Sequence, residues 1–272
     1  VESRPDKMPQ LSDLRESGCL EGNSLVTLAT NERVPIRDLV GTSGFKDWAL
    51  NEQTLKLEAA TVLKAFSTGT KKVYKLKTKL GREIRATGNH KFRSIDGWKR
   101  LDEINLDEHI ALPRIIPQGN TQTITDAELG LLGHLIGDGC TLARHTIQYT
   151  TREYDLARTV ADLATSVFGE EITPRIQKER NWYQVYLSSN RHHTHGTRSA
   201  VAEWLSELNI WDLRSYEKFV PTKVFTQPAK AKAIFLKHLW ATDGCIFASS
   251  SKAPLAYYAS SSEKLAKDVQ TL

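Results

Sequence analysis

Two stretches of this 272-residue chain end alike: LLGHLIGDGC closes on Cys140 and FLKHLWATDGC closes on Cys245. Each is an apolar run ending in Asp, Gly and Cys, and the two acids are Asp138 and Asp243. Asp-Gly by itself marks a common turn, and Asp96-Gly97 is one such pair within this chain. The informative part is the repetition after a long apolar run. Read as a helix, the first stretch carries Gly130, Gly133 and Gly137 along one face, and small residues let two helix backbones approach closely. Two such helices would deliver both aspartates to one place at their C-terminal ends. Carboxylates crowded there repel each other and meet the negative ends of the helix dipoles. A divalent cation relieves both effects. Two acids with positions left open for water suit Mg²⁺, whose chemistry in such a site is activation of water against a phosphodiester.

A second set is Cys19, Thr87 and His90. A lone cysteine is most often a small buried hydrophobe. Here Gly18 precedes it, which leaves the upstream carbonyl open to thiol attack, and ATGNHKF supplies Thr87 and His90. A cysteine nucleophile needs a base or a polarised target. His90 is a proton donor at neutral pH, and Thr87, three residues earlier, can hydrogen-bond the same peptide. Asn89 lies within this motif, without an assigned role.

These residues need elements to position them. Residues 19–113 read as mostly β. Tyr74, Leu76, Thr78 and Leu80 alternate with Lys75, Lys77 and Lys79, the period of a strand. Gly81-Arg82 turns the chain into a return strand from Ile84 to Thr87, and Asp96-Gly97 before Trp98 predicts another tight turn. Residues 114–125 are polar and suit a linker. From Asp126, a candidate N-cap, the texture becomes α+β. Helices are expected near 126–137, 153–168, 199–208 and 229–242, and from Ser262. Strands are expected near 146–150, 172–177, 182–187 and 256–259.

Net charge is +5, and residues 19–115 carry 17 basic against 12 acidic groups. Such a balance permits a nucleic-acid partner without establishing one. Arg175, Lys178, Arg180, Arg191 and Arg198 cluster with Trp182 and Tyr183 interleaved, a candidate DNA-backbone surface or simply a solvated strand face. Five lysines and no acid run from Lys218 to Lys237. Three scattered cysteines exclude a disulfide scaffold or a zinc cluster and fit a reducing compartment. No apolar stretch approaches the roughly 20 residues of a membrane span, the charged N-terminus lacks a signal-peptide pattern, and a cytoplasmic location is expected.

The repeated helix-Asp-Gly-Cys motif resembles that of LAGLIDADG (DOD-type) homing endonucleases. The resemblance implies that Asp138 and Asp243 bind the metal, and that the sheets after each helix form a saddle for double-stranded DNA. His238 stands where the first copy has Gly133, and Lys237 where it has Leu132, so the second helix is expected to pack less closely. The alternative is a DNA-binding protein whose endonuclease is degenerate.

Cys19 to Pro113, with NEQTLKLEAA, GREIRATGNHKF, DGWKRLDE and HIALPR, resembles the splicing domain of inteins. That horseshoe-shaped all-β (Hint-type) fold is shared with hedgehog autoprocessing domains. The resemblance is to inteins of bacterial DnaB-type replicative helicases, and LSDLRESG before Cys19 is similar to the helicase ATPase segment into which they insert. It implies an N-to-S acyl shift at Gly18–Cys19, with Thr87 and His90 distorting or polarising the amide.

The expected fold is thus multidomain, a Hint-type domain followed by an α+β endonuclease truncated at its C-terminus. Residues 1–18 would be the end of the N-extein, 19–115 the N-terminal part of the splicing domain, 116–125 a linker and 126–272 the incomplete endonuclease. The DNA partner would be the helicase gene lacking the intein. Splicing would need no cofactor, but it would need the C-terminal intein half and C-extein, including a terminal His-Asn. The host helicase, expected to be hexameric, would use ATP at a site outside this chain, since no Walker A motif occurs here. A stand-alone hedgehog-type protein is the remaining reading, and the Asp138/Asp243 repeat argues against it.

Overall fold

The computed structural model describes residues 18–119, 121–190, 198–249 and 252–272. Residues 1–17, most of the segment expected to be the N-extein, and Arg191 therefore lie outside the described residues. The chain divides into two compact units, Val1–Pro117 and Gln118–Leu272.

The first unit is built of antiparallel ladders. β1 (Leu25–Thr27) pairs with β2 (Arg33–Pro35), and β3 (Lys46–Asn51) with β4 (Lys56–Thr61). β5 (Val73–Lys77) pairs with β6 (Glu83–Thr87), and β7 (Lys91–Ser94) with β8 (Gly97–Arg100). The predicted turns at Gly81 and Asp96-Gly97 join the last two ladders. Both glycines have positive φ, 84° and 124°, which a residue without Cβ adopts at no steric cost. The horseshoe expectation implies long curved sheets, but these strands pair only in twos. Isolated bridges such as Leu20–Ala86 and Leu28–Asp47 link them. The physical reason is sparse burial. Among the described residues of this unit only Leu39 and Ala86 are buried apolar side chains, while Leu63 and Leu80 stay about three-quarters exposed.

The second unit has a real core. It runs α1 (Asp126–Asp138), β9 (Gly139–Cys140), β10 (Gln148–Thr151), α2 (Tyr154–Phe168), β11 (Ile172–Lys178) and β12 (Tyr183–Ser189). Then come α3 (Ala200–Glu207), α4 (Thr222–Phe225), α5 (Ala229–Asp243), β13 (Gly244–Ser249), β14 (Lys252–Tyr258) and α6 (Glu263–Thr271). One sheet has the order β11-β12-β10-β9, and β13 and β14 form a separate hairpin. α2 buries Ala157, Val160 and Ala164, the i, i+3, i+7 stripe of a helix lying on a core. α1 is buried all round from Leu129 to Ile136, as expected of a helix with no polar face.

Two expectations need correction. The cap of α1 is Thr125, not Asp126: the Thr125 hydroxyl accepts from the Glu128 N–H and the Glu128 carboxylate accepts from the Thr125 N–H. This reciprocal pair satisfies two end groups at once. Nor is the C-terminal part of the polar stretch 114–125 a loose connection. The buried Gln227 side chain accepts from the Thr123 and Ile124 N–H groups at 2.9 and 3.2 Å and fixes them to the second unit. Among the described residues, no helix is long and apolar enough to cross a membrane.

Candidate functional site

In the first unit the chain enters beside β6. Leu20 bridges Ala86, and the Glu21 N–H donates to the Arg85 carbonyl at 2.9 Å. That pairing lays Cys19 along Thr87. The Cys19 N–H donates to Thr87 Oγ1 at 2.8 Å, and the Thr87 N–H returns a bond to the Cys19 carbonyl at 2.9 Å. Thr87 Oγ1 in turn donates to Asn89 Oδ1 at 2.7 Å. Asn89 thereby acquires a part that its sequence position left open: it orients the threonine hydroxyl so that a lone pair meets the Cys19 N–H.

His90 closes the other side. Gly18 lies so near the His90 backbone that a Cβ on it would come within 2.1 Å of the His90 Cα and 2.6 Å of its main-chain nitrogen, so the fit requires glycine here. Burial holds the imidazole below its usual pKa, and its hydrogen bond to the Gly18 backbone pulls the other way. His90 is therefore neutral at pH 7, a neutral N–H donor beside the Gly18 peptide. The ring meets Phe92 edge-on at 5.0 Å, which fixes its plane. Gly18, Cys19 and His90 line a cleft of about 440 Å³ together with Val26, Phe45 and Asp47.

The second unit brings its two signature segments together. Helices α1 and α5 pack with backbones in near contact: a Cβ on Gly133 would lie 2.8 Å from the Leu239 nitrogen and 2.9 Å from the Phe235 oxygen. His238 does not loosen this pair, contrary to expectation. It lies over Gly130, and its Nδ1 sits 3.1 Å from His134 Nε2, while His134 Nδ1 is 3.3 Å from the Tyr149 hydroxyl. The space left by the glycines is what accommodates the imidazole.

Asp138 and Asp243 are the last residues of these two helices. Each is followed by a glycine that starts a strand paired to a tyrosine, Gly139 with Tyr149 and Gly244 with Tyr258. Burial raises the pKa of both carboxyls. Repulsion from Asp243 adds to the rise at Asp138, and Lys218 opposes it at both. Lys218, 4% exposed, donates to the Leu135 and Gly139 carbonyls at 2.8 and 2.6 Å, at the C-terminal end of α1. Burial pulls its pKa down to about 8, against the pull of Asp138, Cys140 and Asp243. Sequence reasoning left Lys218 among a basic run and assigned it nothing.

The candidate DNA-contacting residues divide. Arg175 is exposed and stacks 5.0 Å over the Tyr186 ring, its cross-strand partner. Arg175, Gln177, Gln184, Tyr186, Gln148 and Thr150 share one sheet face by register. Lys178, three residues on, falls on the opposite face with Ile176 and Val185, because strand side chains alternate. Arg180 is exposed in the β11–β12 turn, and Arg198 is tied to Ser206 Oγ at 2.8 Å. Of the four described residues, Arg175 and Lys178 thus face opposite sides of the sheet.

Comparison with known proteins gives the family. The intein splicing domain family matches residues 26–271. The chain is 58% identical over 275 residues to the replicative DNA helicase DnaB of Synechocystis sp., covering 100% of this chain and 32% of that protein. It is 60% identical over 275 residues to the DnaB helicase of Nostoc sp., covering 100% and 31%. It thus spans about a third of the length of these curated relatives. A crystal structure of a variant Ssp DnaB mini-intein is 62% identical over 36% of this chain and 66% of that one, with a TM-score of 0.36. With the family matching nearly the whole chain, the chain belongs to the intein splicing-domain family.

Proposed function

We propose that this chain carries the N-terminal splicing chemistry of an intein hosted by a DnaB-type replicative helicase, in a horseshoe-shaped fold completed by further chain. The supporting observation is the amide between Gly18 and Cys19, gripped on one side by Thr87 and on the other by His90. The Cys19 sulfur attacks the Gly18 carbonyl carbon, a C–S bond forms and the C–N bond breaks. His90, neutral at rest, takes a proton from solvent and as the imidazolium delivers it to the leaving Cys19 nitrogen, returning to the neutral ring. Thr87 holds the Cys19 N–H, which fixes the amide plane while His90 acts on the opposite side. No cofactor enters this chemistry. The test is thioester formation at Gly18, trapped by hydroxylamine once the C-terminal intein half and C-extein are supplied. A Cys19→Ala chain that still cleaves there at the wild-type rate would refute the assignment.

For the second unit we propose a LAGLIDADG-type homing endonuclease acting on the helicase gene that lacks the intein. The all-oxygen pair Asp138 and Asp243 suits a hard cation such as Mg²⁺, because two solvent-reachable acids whose pKa values are both raised by partial desolvation gain from a divalent charge. Bound there, it would supply activation of water for phosphodiester attack. Lys218 supplies the neighbouring positive charge for a phosphate. The close α1–α5 packing favours a working site over a degenerate one. The host would be hexameric, cytoplasmic and dependent on ATP bound elsewhere in its chain. The test is Mg²⁺-dependent cleavage of that gene by the intact chain, absent in Asp138→Asn.

A further inference from the structure

Residues 62–72 cross the first unit between β4 and β5 without regular structure. They are nonetheless fixed at their start: the Gly44 N–H donates to the Val62 carbonyl, the Val62 N–H to the Phe45 carbonyl and the Gly41 N–H to the Ala65 carbonyl, at 2.8 to 2.9 Å. Beyond that anchor the segment bends at Gly69, whose φ of 79° lies in the left-handed region. The bend presents two side chains to one atom. Thr68 Oγ1 is 3.1 Å from Cys19 Sγ, and Lys71 Nζ donates to the same sulfur at 3.7 Å. They are separated from Cys19 by 49 and 52 residues and come from no part of the Thr-x-x-His motif.

A thiol is a poor nucleophile and a thiolate a good one, and a nearby ammonium or hydroxyl donor favours the thiolate. Neither Thr87 nor His90 bonds the sulfur; both address the amide. The activation of the attacking atom therefore needs other groups. We propose that Thr68 and Lys71 are the positioning residues of the nucleophile: their contacts hold the Cys19 sulfur and steer it toward the Gly18 carbonyl. The thiol proton leaves to solvent, because Lys71 enters as an ammonium and has no lone pair to accept it. The sulfur then carries the electron pair that forms the C–S bond. This rests on the acyl-shift reading above.

The intact chain tests it through alkylation by iodoacetamide at pH 7, followed by mass spectrometry of the peptide containing Cys19, with Cys140 and Cys245 as internal references. Lys71 is exposed, so solvent weakens its effect, and Lys71→Met is expected to slow Cys19 alkylation about threefold to fivefold. Lys71→Arg is expected to restore it, and Thr68→Val to slow it further in combination. Local unfolding would expose the thiol and speed alkylation instead, so an unchanged or faster rate in both variants overturns the proposal. A trapping experiment on the same chains separates the two readings. Slower alkylation without any thioester at Gly18 would sink the acyl shift and leave the positioning assignment standing. Normal thioester formation with unchanged alkylation would do the reverse.

Discussion

Cys19 and Thr87 hold each other by two short hydrogen bonds, one into the threonine hydroxyl at 2.8 Å and one from the Thr87 N–H to the cysteine carbonyl at 2.9 Å, with a longer one from the hydroxyl to that carbonyl at 3.4 Å. The backbone bond belongs to strand pairing and survives any side chain at position 87. The hydroxyl bond does not. Thr87→Val keeps the shape and removes the acceptor. It is expected to slow thioester formation about tenfold, the value of roughly one hydrogen bond to a reacting group. Thr87→Ser should recover most of the rate. Quench-flow or time-resolved hydroxylamine trapping measures both.

His90 gives a larger effect and a pH signature. His90→Ala removes the proton donor and is expected to slow the shift about a hundredfold. Its folded pKa lies below the ordinary 6.5 because burial favours the neutral ring. A depressed folded value means that the stability tied to His90 is fully present above pH 6.5 and is lost as pH falls through the folded value. Thermal melts of the first unit should therefore decline below pH 6.5, and less steeply in His90→Gln.

The acid pair behaves with the opposite sign. Both carboxyls have folded pKa values above the ordinary 3.8, so their contribution is greatest below that value and is lost as pH rises through the folded ones. At neutral pH the ionised pair destabilises the second unit. Asp138→Asn and Asp243→Asn are each expected to raise its melting temperature at pH 7.5 while eliminating Mg²⁺-dependent cleavage and sparing DNA binding. A lowered melting temperature in both would contradict the electrostatic account. Added Mg²⁺ should stabilise the parent chain and not the variants.

His134 reports on the helix interface. Burial first, and then the neighbouring His238, hold its pKa down to about 4. Between pH 6.5 and 4 the unfolded chain takes up a proton that the folded one refuses, a loss of about 3 kcal/mol by linkage. Urea unfolding of wild type and His134→Gln at pH 7 and pH 4.5 isolates this from the carboxylates, and the variant should lose less on acidification.

The sheet makes a one-sided prediction. Arg175→Gln is expected to weaken binding to duplex DNA and to lower the salt slope by about one unit. Lys178→Gln, on the other face, should change it little. Equal losses for the two would place the contact surface elsewhere.

Much of both sites was readable because their parts lie in short local signatures. Asp-Gly-Cys after an apolar run marks two helix ends, and Thr87 and His90 sit on one strand and the turn beyond it. Thr68, Lys71 and Lys218 carry no such signature. Each reaches its partner across long sequence separations, Lys218 over 83 residues to the Leu135 carbonyl, and a lysine in a basic run looks like any other until the fold buries it. His238 misled for a related reason. Read one helix at a time, an imidazole in place of a glycine is an obstruction. In the pair, the glycines of α1 provide the volume and His134 provides the partner. The strand alternation of Arg175 and Lys178 was available from their spacing, but only once the strand was known to include both.

The raised carboxyls at the ends of α1 and α5 also set a direction for change over generations. Losing either acid takes a single amino-acid substitution, and the same change makes the second unit more stable. Nothing in the first site depends on them, since Cys19, Thr68, Lys71, Thr87 and His90 all come from the other unit. On the endonuclease reading, and unless cleavage is under selection, drift would run toward a better-folded chain that splices without cutting. The retention of both aspartates and of the buried lysine beside them is the costlier arrangement, and its upkeep would have to come from the spread of the element itself.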